Sequence, residues 1–196
     1  MRRAPNAVRA MPILAVLAAL ALGGCGGSAD GSAGVATQPA RVSLTSSAIH
    51  DTKLSALYTC DGRDISPPLA WGAVPSSVEE VAIFALGAHR AANGQTLGSI
   101  EWALAGVRPG LHALRAGEVP HGAFLLAGTA GKRRYSICPH KGETEHFTFV
   151  LYALPHGARA SPKISSAALF DNLTESGAAQ DETPAAGGIP ANYTRR

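Results

Sequence analysis

Several familiar signatures are missing from this chain of 196 residues. It has no Gly-x-Ser-x-Gly nucleophile elbow and no His-Glu-x-x-His helix, which argues against the common serine-hydrolase and zinc-protease chemistries. Gly128-Thr129-Ala130-Gly131-Lys132 resembles a piece of a phosphate loop, but the spacing is too short and no Ser or Thr follows the lysine. No apolar run reaches the roughly 20 residues that a spanning helix needs. There is no internal repeat. Cysteine is scarce, with three in all, and neither Cys60 nor Cys138 has a second Cys or His at ligand spacing, so no metal centre and no cofactor are expected. The apparent excess of positive charge also disappears on inspection. Of 17 Lys+Arg against 14 Asp+Glu, three arginines (Arg2, Arg3, Arg9) lie in the first nine residues. Without them the balance is 14 against 14, and no net positive field remains to attract nucleic acid.

What is present begins at the N-terminus. Basic residues precede the short apolar run Met11–Leu22, which ends in Leu22-Gly23-Gly24-Cys25. This is the pattern of an export signal. The cysteine after two glycines resembles the lipobox of bacterial lipoproteins. It predicts a signal peptide over residues 1–24, a mature chain starting at a lipidated Cys25, and attachment to the membrane with the domain facing outside the cytoplasm. Residues 25–40 (CGGSADGSAGVATQPA) are too poor in large apolar groups to form a core and predict a flexible tether. Residues 41–196 then form one domain.

The domain reads as mostly β. Arg41–Thr45 alternates weakly, and Val81–Leu86, Ile100–Val107, Ala123–Ala127 and Phe147–Leu154 are short apolar runs separated by Gly and Pro. Such runs predict a β-sandwich with peripheral helix. Ser165–Ser176 predicts one helix, with Ser166 as N-cap and Gly177 as its stop. Gln180–Gly188 reads as a polar loop. Lys132-Arg133-Arg134 reads as a solvated loop, and so does the polar group His140, Glu143, Glu145 and His146. With Cys25 used by the anchor, Cys60 and Cys138 form a leftover pair. In an oxidising compartment such a pair tends to join, the alternative being two separately buried thiols.

Two blocks carry a family resemblance. Tyr58-Thr59-Cys60-Asp61-Gly62, Ile65-Ser66-Pro67-Pro68-Leu69-Ala70-Trp71 and Val74-Pro75 resemble the opening block of the bacterial phosphatidylethanolamine-binding proteins, relatives of the Raf kinase inhibitor proteins. Tyr135-Ser136-Ile137-Cys138-Pro139 and Glu145-His146-Phe147-Thr148-Phe149-Val150-Leu151-Tyr152-Ala153-Leu154 resemble the second block. The resemblance implies a Greek-key β-sandwich with short peripheral helices, a small anion pocket at one end and no catalysis. It also places Cys60 and Cys138 where bacterial members carry both cysteines, which supports a disulfide.

The pocket departs from the family's pattern. Members usually build it from Asp-Pro-Asp-x-Pro, His-Trp and His-Arg-Tyr segments. Here the first falls near Leu86-Gly87-Ala88-His89, with neither acid nor proline. The second matches Glu101-Trp102 and the third Glu145-His146-Phe147, so both histidines are replaced by glutamate. The expected site is Glu101 and Glu145 side by side, with Trp102 and Phe147 as apolar walls and Tyr135 at the rim. A carboxylate about 5 Å from a phosphate oxygen repels it by roughly 3 kcal/mol at an effective dielectric near 20. Two carboxylates also raise each other's proton affinity. Such a pocket suits a cation, an amine or a neutral polar ligand. The alternatives are a vestigial pocket in an envelope protein-interaction module, and a hydrolase using Glu101 and Glu145 as acid and base.

Overall fold

A computed structural model describes residues 41–90, 95–179 and 186–196. The expected signal peptide, Cys25 and tether lie outside the described residues, as does the Gln180–Thr183 part of the expected loop with the two residues after it. Two sheets make up the domain. The large sheet has seven strands in the order β2 (Ile49–His50), β3 (Lys53–Leu54), β10 (Ala186–Thr194), β9 (Thr144–Pro155), β5 (Val78–Arg90), β6 (Thr96–Val107) and β8 (Phe124–Leu126). The small sheet has the order β1 (Leu44–Thr45), β4 (Leu69–Trp71) and β7 (Ala113–Leu114). One α-helix, α1 (Ser166–Ala179), and one 3-10 turn at Ala56–Tyr58 complete the described elements. The expected mostly-β class with peripheral helix is what the chain adopts, and no helix among the described residues is long and apolar enough to cross a membrane.

The large sheet is covered on both faces. Ile83, Ala85, Trp102, Leu104, Phe149 and Leu151 face one core together with Leu44, Leu69, Trp71 and Leu114 of the small sheet. Ala82, Phe84, Ala103, Ala105 and Leu154 face a second core together with Leu169 and Leu173 of α1. Burial on both faces explains why Val81–Leu86 is continuously apolar rather than alternating. Phe84, Tyr152 and Phe170 meet edge-on in this second core, with ring centroids 5.6–6.0 Å apart, a favoured aromatic geometry.

The strands extend beyond their apolar runs. β5, β6 and β9 reach Arg90, Thr96 and Thr144, because ladder pairing carries polar residues along once the apolar centre is fixed. β1 is shorter than expected. The helix is capped by Ser165, whose Oγ accepts from the Ala168 amide at 3.1 Å. The predicted cap, Ser166, is instead buried and donates to the Ala127 carbonyl at 2.6 Å. Gly177 does not stop the helix, which continues to Ala179.

The largest departure is β10. Its Ala186–Gly188 start was expected as loop, yet the strand pairs with β9 along its whole length. Its loop-like composition has local causes. A Cβ on Gly187 would sit 2.1 Å from the Val42 carbonyl oxygen, so only glycine lets the two backbones approach. Pro190 lacks an amide hydrogen, but the neighbour on its other side, β3, registers only at Asn192.

Cys60 and Cys138 are joined, with Cα atoms 5.3 Å apart and a sequence separation of 78. The adjoining backbone is also paired, the Cys60 amide donating to the Ile137 carbonyl at 3.2 Å. The bond pins the segment before β9 to the segment before β4. Chain-entropy arithmetic for a loop of this length gives about 4.5 kcal/mol. We therefore expect thiol labelling of the unfolded, unreduced protein to find Cys60 and Cys138 blocked. The Cys60→Ser/Cys138→Ser variant should unfold at markedly lower urea, by up to about that energy; free thiols would contradict the pairing.

Candidate functional site

The site is built where β6, β5 and β9 run side by side. Ala85 registers with Trp102 and Leu86 with Ile100, so Glu101 is one extra residue on β6 with no partner on β5. Such a bulge re-aims a side chain. Here it turns Glu101 toward the face that carries Trp102, over Gly87. The Ser99 hydroxyl donates to Glu101 Oε1 at 2.5 Å. A Cβ on Gly87 would stand 2.8 Å from Ser99 Oγ and 3.0 Å from Glu101 Oε1. The bare backbone of Gly87 is thus what leaves room for this pair. On the other flank Glu145 shares the face of β9 that carries Phe147, Phe149 and Leu151.

Glu101 and Glu145 line one cleft of about 900 Å³, together with Ser136, Glu143, Lys132 and Arg134. The opposite wall is the segment from Gly128 to Arg134. It is sewn to β6 by the Thr129 amide, which donates to the Ile100 carbonyl at 2.9 Å, and by Thr129 Oγ1, which accepts from the Ile100 amide at 2.8 Å. A Cβ on Gly128 would sit 2.4 Å from the Ile100 carbonyl oxygen, so this close approach needs glycine. The run Lys132-Arg133-Arg134, expected as a solvated loop, is exposed but forms a wall of the cleft through Lys132 and Arg134. Among His140, Glu143, Glu145 and His146, also expected as an exposed loop, Glu145 is half-buried and belongs with His146 to β9.

Trp102, Tyr135 and Phe147 lie in the core rather than around the opening, each 5% exposed or less. Trp102 meets Tyr135 edge-on at 6.0 Å, Tyr135 stacks on Phe149 at 6.4 Å, and Phe147 meets Phe149 edge-on at 5.7 Å. Tyr135 was expected at the rim. Its ring is instead drawn into this stack, because an aromatic ring gains most from apolar burial. Trp102 and Phe147, expected as walls, are likewise part of the core. Among the described residues, two buried polar atoms here have no partner: the Tyr135 hydroxyl and Asp64 Oδ1. The other Asp64 oxygen accepts from Arg134 at 2.5 Å and from Ser136 Oγ at 3.4 Å. Asp64 has φ +50°, a conformation that Asp tolerates better than most residues. Sequence reading passed over it, although it sits inside the first quoted block between Gly62 and Ile65.

A sequence profile of the phosphatidylethanolamine-binding proteins matches residues 45–188. The chain belongs to that family. UPF0098 proteins of Mycobacterium tuberculosis are 33% identical over 100 residues, 50% of this chain and 46% of theirs. A UPF0098 protein of Methanothermobacter thermautotrophicus is 32% identical over 110 residues, 52% of this chain and 68% of its own length. The chain thus spans about half the length of the mycobacterial relatives it matches. Among solved structures, Escherichia coli YbcL aligns with TM-score 0.65 and 21% identity, over 80% of this chain and 100% of that one. A phosphatidylethanolamine-binding protein homologue of Chlamydia trachomatis aligns with TM-score 0.64 and 21% identity, over 80% and 99%. At these identities the two structures speak for the fold.

Within this family member, the acids are electrostatically coupled. Burial first, and then the neighbouring Glu101 carboxylate, push the Glu145 carboxyl up to about 7 from an ordinary 4.5. Burial, with Asp64 and Glu145 nearby, pushes the Tyr135 hydroxyl well above its usual range. Among the described residues no three His, Cys, Asp or Glu side chains converge as metal ligands. The sign of the Glu145 effect on stability follows from proton binding. Between about 4.5 and 7 the folded chain holds a proton that the unfolded chain releases, so stability falls as pH rises through that window. Glu145→Gln removes this term. The variant should be more stable than wild type at pH 8, by on the order of 1 kcal/mol after solvent screening, with the difference fading below pH 5. Urea unfolding at both pH values measures it, and a difference independent of pH would count against the coupled pair.

Proposed function

We propose that this protein is a lipid-anchored, non-catalytic binding protein of the bacterial cell envelope, whose cleft has exchanged anion binding for a ligand suited to carboxylates. The observation that carries the reading is the pairing of Glu101 and Glu145 in one cleft, at the two positions where the resemblance places histidines. Proteins of the family are generally non-catalytic binders. Their anion site depends on donors, and here the side chains at those positions are acceptors. The Glu101 carboxylate repels a phosphate by roughly 3 kcal/mol, and Glu145 adds to that in proportion to its ionisation, which together oppose ordinary phosphate affinity. The anchor at Cys25 supplies the location, with the domain held outside the cytoplasm on its tether, and neither nucleic acid nor a cofactor enters this reading.

Two measurements bear on it. Calorimetric titration with inorganic phosphate should give no measurable binding to wild type at neutral pH. The Glu101→His/Glu145→His variant should bind phosphate at least about a hundredfold more tightly, because the change restores donors and removes two negative charges. Tight phosphate binding by wild type would overturn the altered-cleft reading. Intact-mass spectrometry of the membrane fraction should find a mature chain that starts at a lipidated Cys25, and Cys25→Ser should release or stall it. An unmodified Cys25 in that fraction removes the anchor.

A further inference from the structure

The Cys60–Cys138 bond lies at the edge of the cleft, and its two halves meet solvent differently. Cys138 is exposed and lines the cleft beside Ser136, Pro139 and His140. Cys60 is half-buried and is not among the lining residues. Thr59 and Ile137, the residues just before the two cysteines, are fully buried. The disulfide is therefore the outermost tie between the two chain segments, and a molecule in the cleft meets Cys138 first.

The same junction is also held without the bond. The Cys60 amide donates to the Ile137 carbonyl at 3.2 Å. Arg195 reaches both segments: its Nε donates to Asp61 Oδ1 at 3.1 Å and its Nη1 donates to the Pro139 carbonyl at 3.4 Å. Asp61 follows Cys60 and Pro139 follows Cys138, so one guanidinium clasps the two segments right beside the sulfurs. Asp64 adds a further tie, accepting from Arg134 and from Ser136. In the chain-entropy account a disulfide stabilises by restricting the unfolded chain, so opening it leaves these native contacts in place. An accessible bond of this kind exchanges with thiols more readily than a buried one.

We propose that Cys138 is a site of reversible thiolation by a small-molecule thiol that enters through the cleft. The incoming thiol gives up its proton, and its thiolate attacks Cys138 Sγ. A new sulfur–sulfur bond forms to Cys138 as the Cys60–Cys138 bond breaks. The electron pair leaves on Cys60 Sγ, which takes up a proton, so one thiol and one disulfide are consumed and one of each is formed. The attached group then sits at the mouth of the cleft. The Cys60 thiol, kept beside it by the Arg195 clasp, expels it again by the reverse step. This reactivity does not depend on what the cleft binds.

The test compares the mature protein in detergent, folded or unfolded in urea, on treatment with β-mercaptoethanol. Samples are quenched with iodoacetamide at intervals and mapped by peptide mass spectrometry. A bond reached only through global unfolding would react more slowly than in the unfolded chain by the unfolding equilibrium constant, about a thousandfold or more. The folded protein should instead react within about tenfold of the unfolded chain. The thiol adduct should map to Cys138 and the alkylated thiol to Cys60. The thiolated protein should keep its near-ultraviolet circular dichroism. Arg195→Ala should lower the urea midpoint of the thiolated form more than that of the disulfide form, since the clasp then carries what the bond carried. A folded protein that reacts about a thousandfold more slowly overturns the proposal. So does an adduct chiefly on Cys60, a loss of the near-ultraviolet signal on thiolation, or an equal effect of Arg195→Ala on the two forms.

Discussion

β5 is hydrogen-bonded on both edges and covered on both faces, and the rest of the domain is arranged around that constraint. Its partners β6 and β9 register with it along nearly their full lengths. One face meets the small sheet and the other meets α1. A strand held on four sides has little freedom to shift, since slipping by one residue would exchange the two cores. The carboxyl groups at the cleft inherit that fixity. Glu101 stands on one neighbour of β5 and Glu145 on the other, so their proximity is set by the sheet ladder. Rigid ladders place side chains more closely than loops do.

Comparison with Glu80 shows why Glu145 is unusual. Glu80 is more deeply buried, at 6% exposure, but its Oε1 accepts from the Gly106 amide at 2.8 Å. Burial raises its carboxyl, and backbone donors from Gly106 and Ala160 oppose the shift. This is a structural carboxylate, satisfied by the chain around it. For Glu145 the second contribution is another acid, which reinforces burial. Nothing in the adjacent backbone compensates it. A carboxyl left in that condition beside an open cleft is poised for a cation from outside, and perturbed acids of this kind concentrate at functional sites.

Much of the fold was legible in the sequence because the interior strands are continuous apolar runs bounded by Gly and Pro. Phe147–Leu154 and Val81–Leu86 could hardly be placed elsewhere than in a core. β10 was not legible, since Gly187 and Pro190 are loop signals on their own. Their explanation lies in Val42 and in the one-residue register with β3, both distant in sequence. The site was legible in part. Glu101 and Glu145 stood out against the family's pattern, but burial of Tyr135 depends on Phe149 and Trp102 packing against it from two different strands. The opposite wall was missed for a similar reason. Lys132 reads as an ordinary exposed lysine until Thr129 is seen to fasten its segment to Ile100. Asp64 needed its backbone conformation and its contact with Arg134, seventy residues away, before it joined the cluster.

The acidic character of the cleft is a property of a group of residues. Glu101 can lie where it does because Ser99 donates to it and because Gly87 offers no side chain in its path. The Asp-Pro-Asp-x-Pro segment of the resemblance falls at this same stretch of β5. A side chain at Gly87 would meet Ser99 Oγ and Glu101 Oε1 at distances that real Cβ contacts rarely reach. The bare backbone at Gly87 thus leaves room for the Ser99–Glu101 pair in the position it takes. Glu145 is not in that steric group. It is tied to Glu101 only by charge, which leaves its protonation free to respond to whatever occupies the cleft.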